Sequence, residues 1–167
     1  MRAPATADIF GRRAMRRVTA QDFVSWAVGM LELEQDSPSL RMLASMDAFA
    51  STFEAEDYFI RAVRELGIPE PADGLRAYAC DVAKRIVVGD IPPRQGVREL
   101  FQVWIAADGA AEYLIWLELD DALDNLEAGV DAYTYPSATA ENFDAITCAE
   151  ARAFLERMNE SPPTEAL

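Results

Sequence analysis

Apolar residues recur at spacings of three and four along most of the chain, a period that predicts helices rather than strands. Phe23, Trp26, Ala27, Met30 and Leu31 share one face, and Thr19-Ala-Gln-Asp22 just ahead of them has capping-box spacing. Ser37-Pro38 puts an N-cap residue before a proline at the first helical position, opening a short helix through Leu40, Leu43 and Met46. Ser51 with Glu54 reads as a capping box for a helix whose apolar side holds Phe53, Tyr58, Phe59, Ala62, Val63 and Leu66. Gly67 terminates that helix, and Pro69 and Pro71 prevent its continuation. A fourth helix runs through "ADGLRAYACDVAKRIVVG" to Gly89. Pro92-Pro93 starts a fifth, carrying Val97, Leu100, Phe101, Trp104 and Ile105. Asp108-Gly109 is a break, and a sixth helix follows over residues 110–128, ended by Gly129. Residues 130–137 read as a loop, and Thr147 with Glu150 as the capping box of a last helix, Cys148 to Met158.

No stretch sustains strand alternation, and "RIVVG" is too short to carry a sheet. The expected fold is therefore all-α, a single-domain bundle of about seven helices. It is expected to span residues 19–160, between a flexible basic N-terminal arm, 1–18, and a frayed tail, 161–167. No repeat and no domain boundary is visible.

Composition agrees with a packed core. At 167 residues and 51% hydrophobic the chain is long and apolar enough to fold, unlike a disordered sequence. No apolar run reaches the roughly 18 residues of a membrane span, and no secretory signal opens the chain, so a cytoplasmic protein without membrane contact is expected. Cys80 and Cys148 lack CxxC spacing and read as small buried hydrophobes.

Charge changes the picture more. Residues 1–17 hold five arginines and one acid, although Met15 would equally serve as a start; the remainder holds ten basic and twenty-eight acidic residues. From Glu99 to Ala151 there are twelve carboxylates and no Lys or Arg, whereas soluble surfaces usually intersperse both signs. The densest part is "LELDDALDNLEAGVDAY", Leu117 to Tyr133. On a helical wheel Trp116, Leu119, Leu123, Leu126 and Val130 form the core stripe. Asp120, Asp124, Glu127 and Asp131 line its shoulder, and Glu118 and Asp121 point further round to solvent. No basic residue on this helix offsets the repulsion.

The chain contains no histidine. That removes Ser-His-Asp and Cys-His devices, most zinc sites and the Glu-x-x-His di-iron pattern. Phosphate-cradling glycine motifs are absent as well. Neither catalytic residues nor a cofactor nor a resident metal is expected. Nucleic acid would be repelled by the acidic body, so direct binding by the folded domain is not expected either.

What remains is recognition of a basic protein, since a dense acidic face accelerates encounter with a cationic partner and discourages others. The candidate surface is Asp108, Glu112, Glu118, Asp120, Asp121, Asp124, Glu127 and Asp131, with Tyr133 and Tyr135 as aromatic anchors. A plainer account puts Trp116 in the core, packs both loop tyrosines on it, and leaves the charge to solubility. One rival is a divalent-metal-dependent carboxylate enzyme, using Asp120 and Asp124 with an acid such as Glu54, Glu56 or Asp57. Another is a homodimer of structural role, formed through an exposed apolar groove.

"DSPSLRMLASM", "FEAEDYFIRAVRELGIPEP" and "LELDDALDNLEAG" together resemble a set of small uncharacterised bacterial all-helical proteins. That resemblance implies a bacterial source and attaches no reaction. In size, acidity and helical content the chain is also similar in type to immunity proteins, which neutralise basic toxins.

Overall fold

The computed structural model describes residues 5–47 and 50–160, and among these it is all-helical, with eight α-helices and no strand. The chain folds into two compact units, residues 1–77 and 78–167. The division falls inside a helix, where no Pro, Gly or polar linker marks it.

Unit 1 holds α1 (Thr6–Ala14), α2 (Ala20–Glu32), α3 (Pro38–Ala44) and α4 (Thr52–Glu65). Capping chemistry sets the starts of two of them. Thr19 Oγ1 accepts from Asp22 N while Asp22 Oδ2 accepts from Thr19 N at 2.8 Å, the reciprocal exchange that the spacing predicts. Ser37 Oγ accepts from Leu40 N at 3.2 Å, with Pro38 following as expected. Glu65 adds a second clamp on α3, accepting from Ser39 N at 3.0 Å and Ser39 Oγ at 2.7 Å. Those serine hydrogen bonds hold its carboxyl below the usual glutamate range. Ser51 is the N-cap of α4 but its side chain makes no capping bond. Gly67 ends α4 at φ +66°, where Ile68 N closes onto Val63 O, a left-handed turn that suits glycine.

Helices α2, α3 and α4 pack on one another around Phe59. Its ring meets Trp26 at 4.7 Å, Phe23 at 5.0 Å and Phe10 at 5.5 Å, the Trp26 and Phe10 contacts edge-on. Phe10 belongs to α1, so residues 6–14, expected within a flexible arm, form a helix that packs on this core. Ile9 is fully buried and Arg12 and Arg13 are ion-paired. Residues 1–4 of that arm and the expected tail, 161–167, lie outside the described residues.

Unit 2 holds most of α5 (Gly74–Val88), then α6 (Pro93–Ala106), α7 (Leu114–Glu127) and α8 (Phe143–Glu160). Helix α6 packs against both α7 and α8. Its glycine, Gly96, faces Ile86 of α5, and a Cβ there would lie 2.4 Å from Ile86 Cγ1. Trp116 and Phe154 meet edge-on at 5.4 Å in the core between α7 and α8. Helix α8 starts at Phe143 instead of Cys148, and Thr147 is fully buried within it rather than capping it. The reciprocal exchange sits upstream, where Thr139 N donates to Asn142 Oδ1 at 2.7 Å and Asn142 N to Thr139 Oγ1 at 3.3 Å. Cys80 and Cys148 form no disulfide and are only partly buried. Among the described residues no helix is long and apolar enough to cross a membrane.

Candidate acidic docking face

The two units divide the charge unequally. Residues 1–77 carry nine basic and twelve acidic side chains, and residues 78–167 carry six and seventeen. The candidate residues all lie in unit 2, on α7, on the turn before it and on the loop after it.

Three of the acids on the shoulder of α7 are not unneutralised. Arg98 of α6 reaches across with Nη1 to Asp120 Oδ1 at 2.8 Å and with Nη2 to Asp124 Oδ1 at 2.6 Å and Glu127 Oε2 at 3.1 Å. The expectation of an unpartnered row fails there for a simple reason: the helix has no cation of its own, but the preceding helix lays one along it. Arg98 stands one position before the basic-free stretch begins. Its single charge is divided among three carboxylates, so the cluster keeps an excess of two. Asp120 is 6% exposed, and burial lifts its carboxyl above the usual aspartate range despite the arginine.

A second group of acids has no arginine. After Gly129 at φ +75°, the loop turns back along α7. Thr134 Oγ1 donates to Glu118 O at 3.0 Å or to Asp121 Oδ2 at 2.9 Å, both within reach of its one proton. Next in sequence, Tyr135 donates its hydroxyl to Glu150 Oε1 of α8 at 2.7 Å. That bond, with burial and the charges of Glu150 and Glu118, pushes the Tyr135 phenol up to about 12. The loop thus bonds to two helices, at the Glu118 carbonyl and the Asp121 carboxylate of α7 and at the Glu150 carboxylate of α8. Glu150 was missed because its spacing from Thr147 reads as a capping box; its role depends on a loop fifteen residues earlier.

The rest of the candidate set is distributed more loosely. Asp131 is exposed on the loop, and Tyr133 between it and Tyr135 is 76% exposed. Asp108 and Glu112 are exposed on the turn between α6 and α7, Asp108 at φ +53° where the chain leaves α6. Trp116 is fully buried, as the plainer account has it. Tyr133 is not packed away as that account requires.

The donor set offers little to a metal ion. Asp120 and Asp124 already face the Arg98 guanidinium, Glu56 bonds Arg13, and Asp57 bonds Arg61. Among the described residues no group of three or more Cys, Asp or Glu side chains is placed to hold one.

Compared with known protein families, curated proteins and solved structures, the chain matches none. Only the geometry of the site itself bears on what it does.

Proposed function

We propose that this is a non-enzymatic acidic binding protein whose unit 2 engages a basic protein. The observation that carries the reading is the loop of residues 130–135. It bonds to the Glu118 carbonyl and the Asp121 carboxylate of α7 and to Glu150 of α8, and carries the exposed Tyr133, in a stretch without any basic side chain. An exposed aromatic ring on an acidic loop suits a partner's arginine, a side chain that stacks on aromatic rings and bonds carboxylates. The face is consequently smaller than the full run of acids. It centres on Glu118, Asp121, Asp131, Tyr133 and Glu150, while the Arg98 cluster supplies a background field. The same field disfavours nucleic acid as the ligand. An inhibitor of a basic toxin or nuclease, and a mimic of DNA acting on a DNA-binding protein, are the two forms this chemistry suits. Either would act in the cytoplasm.

The test uses a partner captured from the source cell by the immobilised chain, then purified. Its affinity is expected to fall at least about tenfold between low and moderate salt. Glu118→Gln with Asp121→Asn is expected to produce a loss of similar size, on the order of 1–2 kcal/mol. Asp124→Asn, which trims an arginine-paired acid, has a smaller effect. Binding indifferent both to salt and to the double substitution refutes the reading.

A further inference from the structure

Helix α1 is a poor helix by itself. It has nine residues, no side-chain bond at its N-cap and Gly11 in its interior, and the chain leaves it through Arg16 at φ +55°. Helices shorter than about 12–15 residues are marginal in water. An interior glycine weakens them further, and a left-handed arginine is strained.

What holds α1 is its seat. Ile9 and Phe10 enter an aromatic floor made by Phe23, Trp26 and Phe59, and the Trp26 indole N–H donates to Thr6 Oγ1 at 3.0 Å. Acids on three separate elements form the rim. Arg12 Nη1 reaches Asp22 of α2 at 2.9 Å, and Arg13 reaches Glu56 of α4 at 2.5 Å and Glu70 of the following connection at 2.7 Å. All these side chains are between a fifth and a half exposed, so salt screens the contacts. A cleft of about 320 Å³ remains open beside Arg13, between Phe10 and Pro71.

We propose that α1 is a detachable strap over a docking groove for a basic amphipathic helix of a partner protein. The occupant displays what the groove selects: two adjacent apolar side chains, then arginines within the next turn. The rim acids belong to elements that do not include α1, so floor and rim persist when it leaves. A longer helix of better propensity with the same pattern competes directly, by the helix-in-groove mode. This site is in unit 1 and is independent of the face proposed for unit 2.

The experiment uses the full chain. Between about 20 and about 500 mM NaCl, amides of residues 6–14 are expected to lose hydrogen-exchange protection about tenfold while those of 55–63 hold theirs. The Trp26 indole N–H resonance, assigned with Trp26→Phe, moves in step. A labelled peptide of residues 5–17 is the docking probe; it is expected to bind the Arg13→Gln chain at least about tenfold tighter than the wild type. Adding Glu56→Gln removes that gain. Should Arg13→Gln fail to fold by circular dichroism, Arg12→Gln, which loosens the strap at Asp22 and leaves the groove intact, replaces it in the peptide arm. Exchange of α1 no sooner than α4 at every salt, or a peptide that binds neither chain, overturns the proposal. A concentration-dependent dimer of Arg13→Gln that shuts out the peptide overturns the choice of occupant, giving the groove to α1 of a second copy.

Discussion

Arg98 decides the character of α7 more than any acid on that helix. Replacing it by Met leaves Asp120, Asp124 and Glu127 to repel one another with Asp120 buried, and stability is expected to fall by about 1–2 kcal/mol. The loss is less than for a fully buried pair because the Arg98 side chain is 38% exposed. Asp120 behaves oppositely to an ordinary salt-bridged acid. Its carboxyl titrates above the usual aspartate range, so its stabilising contribution is complete below that range and is lost as pH rises through its raised value. Asp120→Asn is therefore expected to gain on the wild type as pH rises through the same window, read from denaturant melts at several pH values. A loss that grows with pH instead would mean that the arginine outweighs burial.

At the scale of elements, close approach sets the clearest constraint. In an exposed helix Gly→Ala is stabilising by about 1 kcal/mol. At Gly96 the sign reverses, because the new methyl would meet the side chain of Ile86, which is only 1% exposed and cannot move aside. Gly96→Ala is expected to cost about 1–3 kcal/mol, with part of that recovered by Ile86→Ala in the same chain; an unchanged melting temperature would contradict the contact. The helices themselves were legible wherever the signal is local. Thr19 with Asp22, Ser37 before Pro38, and Gly67 all act within six residues of their own position. Thr147 with Glu150 misled because a matching spacing inside a helix is indistinguishable from one at its start, and the capping pair that operates has Asn142 in the acidic position. Long-range partners were illegible for a different reason. Arg13 meets Glu56 and Glu70 across 43 and 57 positions, and Arg98 meets its three acids across 22 to 29. No periodicity encodes such pairs, so α1 resembled an arm and the acidic row looked unpaired. The loop that bonds to α7 at Asp121 and to α8 at Glu150 is legible as a loop, but its return path is not.

Over the whole molecule, electrostatic self-repulsion is expected to outweigh pairing. Unit 2 alone has eleven more acids than bases, while exposed ion pairs contribute about 0–1 kcal/mol each. Adding moderate salt is expected to raise the melting temperature, since screening relieves more repulsion than it removes attraction. A fall would show that the arginine contacts of unit 1 dominate instead.

The placement of the tryptophans has a practical consequence. Trp26 is the only one before residue 78, while Trp104 and Trp116 both come after it. Trp26 lies edge-on to Phe59 in one hydrophobic centre and Trp116 edge-on to Phe154 in the other. Each half of the chain therefore carries its own intrinsic fluorophore, and emission from Trp→Phe variants records how either half loosens without any attached dye.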